Sequence, residues 1–380
     1  MSKEVLITKN DTKSLKLNKL PVITWRWLKV NEFNLKDFKL ENIPAYNKNS
    51  INSHPVDEIE VNIIDNSVEY LEIEKYFNSL DNVGVSQEFT KMADSMYNCG
   101  IQIIASKNKK VSEPVFLRYS TDNKNPMIVD QNLIIAEENS TITVIIDYTS
   151  DDSTPGFHNG MTKIYAKDGA IVNLIKLQTM NDTSLNLDAN IAYIGHGAKV
   201  NNVSLELGSD KSVVSYINNL EKDTAESNLD SIYLVDNSRL IDMNYLMNHF
   251  GRRTISNINT YGALKDKSKK TFKGTLDFKR GSSLSKGSEE EYAILLDKDV
   301  KSDAIPLLLC EEEDVEGLHA ASAGRIDENK LFYLMSRGFS EREAKKLIIE
   351  SYFRPIIDKI PLSQLRKKVE NHIENRLLKI

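Results

Sequence analysis

Cysteine is nearly absent from this sequence, with only Cys99 and Cys310 in 380 residues. Two thiols cannot build a disulfide framework, so burial and hydrogen bonding must hold the fold. Long apolar runs are also missing. No segment reaches the roughly eighteen consecutive apolar residues that a membrane-spanning helix needs, and the opening MSKEVLITKNDTKSLKLNKL lacks the apolar centre of a signal peptide. The expected compartment is the cytoplasm, with both thiols reduced. There is no excess of positive charge either: 49 Lys and Arg stand against 55 Asp and Glu, a formal net charge of -6. That balance offers no footprint for duplex nucleic acid, so neither nucleic acid nor a membrane is an expected partner. The G-x-x-x-x-G-K-[ST], G-x-G-x-x-G, C-x-x-C and H-E-x-x-H patterns are absent too. Without them the chain has no recognisable nucleotide loop, redox pair or zinc-protease helix, and no catalytic residue is assigned.

What is present, from Ile101 to about Leu296, is a succession of short alternating apolar runs rich in Ile, Val, Leu and Tyr, such as TITVIIDY, IVNLIKLQ and LDANIAYI. Nearly two hundred residues of this pattern without a convincing helix predict an all-β body. A small residue following a polar turn recurs at Ser140, Ala170, Ala198, Ser238 and Ser268, spaced by 30, 28, 40 and 30 residues. The spacing reads as a repeat with one insertion near Leu220 to Asn228. A propeller blade needs about forty residues, whereas a period near thirty fits turns of a coiled parallel sheet. The predicted fold class is mainly β, a parallel β-helix.

The flanks differ. Residues 1–98 read as an N-terminal α/β region with an aromatic cluster (Trp25, Trp27, Phe33, Phe38) and a helix from Ser86 to Met96 that Gly100 stops. Residues 99–325 form the β-helix core. Residues 326–380 form a small helical domain: Asp327 caps one helix, Ser340 and Glu343 make a capping box for a second, and Leu362, Leu365, Val369, Ile373 and Leu377 line one face of a third.

Chemistry-bearing residues gather where strands give way to helices. Cys310 and His319 lie nine residues apart around the acidic run Glu311 to Asp314. Each alone reads as structural, but a thiolate and an imidazole together bind iron or zinc well. Glu289 and Glu291 put two carboxylates on one strand face, as a carbohydrate-active β-helix enzyme would require. The lysines at 265, 267, 269, 270 and 273 read as a solvated strand face.

Three segments carry a family resemblance: LKDKSKKTFKG (Leu264 to Gly274), EEYAILLDKDVKSDAIPLL, and DVEGLHAASAGRIDENKLFYLMSRGFSEREAKKLI from Asp314. Together they resemble the C-terminal core of the SufB/SufD family of iron–sulfur cluster assembly proteins, and LPVITWRWLKV from Leu20 is similar to the opening of its SufD branch. The resemblance implies a right-handed parallel β-helix and a scaffold subunit, not an enzyme. It also implies a SufB-type paralogue as partner and a SufC-type ATPase held by the C-terminal helices, with Phe332, Tyr333, Arg337, Ser340 and Glu343 as candidate docking residues. A cysteine desulfurase system would act indirectly. No cofactor is expected to be firmly bound: a cluster would form transiently between two β-helices, and ATP would enter only through the partner ATPase. His319 stands at the family's site histidine and is the leading interface and metal candidate, with Cys310, Glu289 and Glu291 weaker. The family's strand places Cys310 at an apolar position, so it is expected in the core. The alternatives are a homodimer taking the SufB role and a carbohydrate-active β-helix enzyme.

Overall fold

The computed structural model describes residues 15–24, 26–35, 42–51, 58–64 and 84–378; Trp25 and Phe38 of the aromatic cluster lie outside them. Successive strands alternate between two parallel sheets, because each side chain facing inward is followed by one facing outward and both faces find apolar cover. The first sheet runs β3 (Ile59–Ile63), β4 (Cys99–Ala105), β6 (Met127–Ala136), β8 (Phe157–Ala166), β10 (Leu185–Ile194), β12 (Lys211–Leu220), β14 (Leu240–His249), β16 (Lys269–Phe278), β18 (Lys301–Cys310). The second runs β5 (Val115–Thr121), β7 (Thr141–Ser150), β9 (Ile171–Thr179), β11 (Lys199–Glu206), β13 (Glu226–Val235), β15 (Ile255–Leu264), β17 (Ser285–Leu295), β19 (Val315–Gly324). All neighbours are parallel except β3, which joins β4 antiparallel. The result is a parallel β-solenoid of about eight turns, as the thirty-residue period predicts.

The corners explain the period. At one row of turns a residue in the left-handed region precedes a buried small one: Asn139 (φ 57°), Gly169 (70°), Gly197 (59°), Thr224 (60°) and Arg253 (55°) precede Ser140, Ala170, Ala198, Ala225 and Thr254, all 0% exposed. Their amides continue the ladder from turn to turn, as in Asn139 N–H to Asp168 O at 3.0 Å and Gly169 N–H to His196 O at 2.8 Å. Spacings along this row are 30, 28, 27 and 29 residues, so the expected insertion near Leu220 does not exist. Ser268 belongs to the opposite row of corners, and Ser238 is exposed beside the residue that fills the small-residue place there, Arg239, which pairs with Asp236. Counting across two rows produced the apparent 40-residue gap. An outward ladder runs down the second sheet: Asn201 Nδ2 donates to Asn173 Oδ1 (2.8 Å), Asn228 to Asn201 (2.8 Å) and Asn257 to Asn228 (2.9 Å). Identical amides stack in this way only when the turns are in register.

Three apolar layers hold the body together. The interior is filled by residues such as Ile134, Val172, Tyr216, Met243 and Phe272. The outer face of the first sheet is covered by α1 (Gln87–Ser95), through Phe89 and Met92, and by Leu17 and Leu35 of a small antiparallel pair, β1 (Leu15–Leu17) with β2 (Phe33–Leu35). The helix expected over Ser86 to Met96 forms, capped by Ser86, but Met96 ends it; Gly100 lies inside β4, where a Cβ would meet the Gln131 carbonyl oxygen at 2.1 Å. The outer face of the second sheet is covered by α3 (Glu341–Ile357) and α4 (Ser363–Leu378), whose Ile349, Phe353, Val369 and Ile373 pack on Ile175, Val203, Ile232 and Ala263.

Covering both faces overturns the reading of the lysine run. Lys270 and Lys273 are each 0% exposed, on opposite faces of β16. Lys270 points inward to Glu291 (2.5 Å), and Lys273 points outward to Asp242 (2.9 Å) and the Asn18 carbonyl (2.9 Å). A buried ammonium persists because a carboxylate and further oxygens meet it.

Candidate functional site

The solenoid's last turn, β18 and β19, has no successor among the described residues, and each strand presents one unpaired edge. Free edges are templates for another strand. The inward residues of β17, Gly287, Glu289, Glu291 and Ala293, continue on β19 as Gly317, His319, Ala321 and Ala323. Those of β16, Lys270, Phe272, Gly274, Leu276 and Phe278, continue on β18 as Ser302, Ala304, Pro306, Leu308 and Cys310. Inward residues that would be core in any earlier turn are therefore open at this end: His319 and Cys310 are exposed, as are Leu308 (41%) and, on the outward side of β19, Leu318 (71%).

Cys310 is thus not a core residue. Its position repeats that of buried Phe278, but no further turn among the described residues covers it, and its thiol donates to the Glu312 carbonyl at 2.9 Å. Cys310 and His319 share the end turn in different columns, above Phe278 and Glu289 respectively. Among the described residues no group of three or more His, Cys, Asp or Glu side chains is placed to hold a metal ion.

Beneath His319 lies a buried polar cluster. Glu291 accepts from Lys270 Nζ (2.5 Å) and from the Tyr233 hydroxyl (2.9 Å). Burial pushes the Lys270 ammonium down, and Glu291 opposes that. Glu289 is 1% exposed, and neither of its carboxylate oxygens has a hydrogen-bond partner among the described residues. Burial first, and the Glu291 carboxylate next, push its carboxyl up to about 8. Gly274 makes the niche for it: a Cβ there would stand 2.7 Å from Glu289 Cγ and 3.0 Å from Oε1. The two carboxylates do share one strand face, but it faces the solenoid interior, where a polysaccharide has no access. Tyr233 and Gly274 are members of the cluster that the linear reading did not single out, and Lys270 is one that it read as solvated; the alternation Lys270, Phe272, Gly274 signals the two on β16, and only once β16 is in register.

The helical end positions the remaining candidates. In α2 (Glu328–Ser336), capped by Asp327, no side chain is buried; Phe332 (73% exposed) and Tyr333 (54%) stand clear, and Arg337 lies 5.2 Å from the Tyr333 ring centre. Phe339 (41%) and Leu347 (37%) extend the apolar face. Ser340 and Glu343 are used up in the capping box that starts α3, with Ser340 N–H to Glu343 Oε2 at 2.8 Å. The platform is tied down by Lys368 to Asp147 (2.7 Å), by Lys359 to Asp230, and by Arg376 Nη1 to the Leu207 carbonyl (2.9 Å). No helix among the described residues is long and apolar enough to cross a membrane.

Comparison with known proteins agrees with this geometry. Residues 119–352 match the SufBD core domain of SUF-system FeS cluster assembly. The iron–sulfur cluster assembly protein SufD of Bacillus subtilis is 26% identical over 309 residues, covering 80% of this chain and 70% of that protein. SufBD family proteins of Staphylococcus saprophyticus and Staphylococcus epidermidis are each 26% identical, covering 77% and 72% of this chain but 63% and 59% of theirs. The core-domain match takes in the solenoid from β5 to β19, α2 and the first part of α3, more than half of the chain, and on that ground the chain belongs to the SufBD family of the SUF iron–sulfur cluster assembly system.

Proposed function

We propose that this chain is a SufD-like scaffold subunit of a cytoplasmic SUF complex. It pairs with a SufB-type paralogue through the open last turn and binds a SufC-type ATPase through the exposed face of α2 and the start of α3. The observation that carries the reading is the uncapped end: two ten-residue strands with free edges, an exposed histidine, and no element among the described residues to cover them. An edge of that length left unpaired is an aggregation hazard, whereas strand addition from a second solenoid converts it into hydrogen bonds of about 0.5–1.5 kcal/mol each. His319 would then lie at the junction, where a nascent cluster is the cargo and not a resident cofactor. The cluster of exposed Phe332, Tyr333 and Phe339 supports a docking role for the helices, because aromatic anchors carry much of the energy of protein interfaces.

Purified chain mixed with a SufC-type ATPase should elute as a complex, and the Phe332→Ala/Tyr333→Ala variant should bind at least about 10-fold more weakly. Both side chains are exposed, so the variant should fold as the parent does. Failure of the unaltered chain to bind would overturn the docking assignment.

A further inference from the structure

We propose that the groove on the outer face of the second sheet, between its asparagine ladder and the turn joining α3 to α4, binds a neutral carbohydrate, a short linear oligosaccharide. The ladder walls one side of a cavity of about 590 Å3, and Lys359 and Pro361 wall the other. That volume falls within the range of roughly 300–1,000 Å3 usual for ligand pockets. An asparagine amide offers two N–H donors and two lone pairs. Asn173, Asn201, Asn228 and Asn257 each use one donor on the preceding turn, beginning at Thr143, and one lone pair on the following turn, ending at Ser288. All four are half-buried and line the cavity. Each keeps a second N–H and a second lone pair that meet no partner among the described residues.

Spacing, charge and surface chemistry define the ligand. The ladder holds its own amides in place, so donors and acceptors repeat at the strand spacing of about 4.8 Å and lose little side-chain freedom on binding. A hydroxyl satisfies both at one atom, accepting from an N–H and donating to a carbonyl oxygen, and a sugar chain carries a row of them. An extended peptide fits less well, because its same-side groups recur only about every 6.7 Å. The groove is also neutral. The charged side chains lining it among the described residues are Asp230 and Lys359, which pair with each other, and Asn259 Nδ2 donates to the same carboxylate at 3.1 Å. A polyanion or a polycation finds no counter-charge there. Beside the ladder lie Ile175 (3% exposed) and Val203 (5%), with Pro361 opposite, an apolar floor for the C–H face of a sugar ring. Hydrolysis of a sugar chain needs two carboxylates, whereas the one lining the groove is held by Lys359, so the site binds and does not cleave. It lies on the outer face, apart from the open end, and it can fail while the scaffold role stands.

Cellotetraose, maltotetraose and tetra-N-acetylchitotetraose serve as probes, titrated into the purified full-length protein and followed by calorimetry and saturation-transfer difference NMR. At least one should bind with a Kd of about 1 mM or tighter. In unaltered protein isotope-labelled at asparagine, that sugar should shift the ladder's side-chain amide signals, a readout that needs no variant to fold. Asn201→Val, a substitution that suits a strand, should weaken binding at least about 10-fold. Asn248→Val removes one member of the Asn248–Asn219 pair (2.8 Å) on the other sheet and should bind as the parent does. Binding of none of the three sugars, unshifted amide signals, unweakened binding by Asn201→Val, or an equal loss with Asn248→Val would each overturn the proposal. So would tighter binding of trigalacturonate or of a blocked tetra-alanine peptide than of the neutral sugars.

Discussion

Replacing Lys273 with methionine isolates the electrostatics of the buried lysines. Lys273 Nζ meets Asp242 Oδ1 and Oδ2 at 3.0 and 2.9 Å, and both residues are almost fully buried, at 0% and 2% exposed. Methionine keeps most of the volume and deletes the charge, leaving Asp242 with the Asn18 amide (2.8 Å) as its remaining side-chain donor. Burial already raises the Asp242 carboxyl, and Lys273 is the largest influence holding it down. Breaking such a pair costs about 3–5 kcal/mol. Proton uptake sets the ceiling: neutralising a carboxyl of unfolded pKa about 3.9 costs about 4 kcal/mol at pH 7 but only about 1.5 at pH 5. The sign follows from a folded pKa raised above the unfolded one, so the penalty is full at high pH and fades as pH falls towards 4. Urea unfolding of Lys273→Met against the parent, followed by circular dichroism, should therefore show a loss of about 4 kcal/mol at pH 7 and about 1.5 at pH 5. Lys273→Met/Asp242→Asn should recover most of it. Equal losses at the two pH values, or a double variant no better than the single, would refute the reasoning.

Two further substitutions probe the interior. Burial, and then Asp188, raise the Glu206 carboxyl from 4.5 to about 7, so its ionisation opposes folding by about 3 kcal/mol above pH 7 and by about 1 at pH 5. Glu206→Gln keeps an acceptor for one of Ser204 and Ser212, turns its amide N–H to the hydroxyl oxygen of the other, and should stabilise the protein at pH 8 far more than at pH 5; a pH-independent effect in urea melts would count against the assignment. Gly274→Ala should lose about 1–3 kcal/mol by crowding Glu289, and Gly274→Ala/Glu289→Ala should regain part of it; thermal melts showing no loss in the single variant would mean the niche is not tight.

Alternation and the thirty-residue period make the solenoid legible in the chain, yet two strands escape that reading. In β15, ISNINTYGAL, outward Asn257 belongs to the asparagine ladder and outward Asn259 donates to Asp230, and in β12 Asn218 and Asn219 fall just before the last residue, so apolar density falls although the register is unbroken. Arg239 in a small-residue place hides the second row of corners. The caps of the C-terminal helices are local and therefore readable: Asp327 and the Ser340–Glu343 box act within three residues. The site was harder, because Glu289 and His319 are thirty residues apart and meet only through the register of β17 on β19. Cys310 was misplaced for a related reason: its position is apolar by pattern, but pattern does not say which turn is the last. Lys270 and Lys273 look like a charged surface until both faces of β16 are covered.

The pairing of the open end is tested most directly by hydrogen–deuterium exchange on the backbone amides of β18 and β19, in the lone chain and in its complex with a SufB-type paralogue. The account expects the unpaired edge amides of both strands to exchange fast in the lone chain and to slow at least about 10-fold in the complex, with strands in the middle of the solenoid unchanged. A complex that forms while exchange in β18 and β19 stays as it was would contradict it.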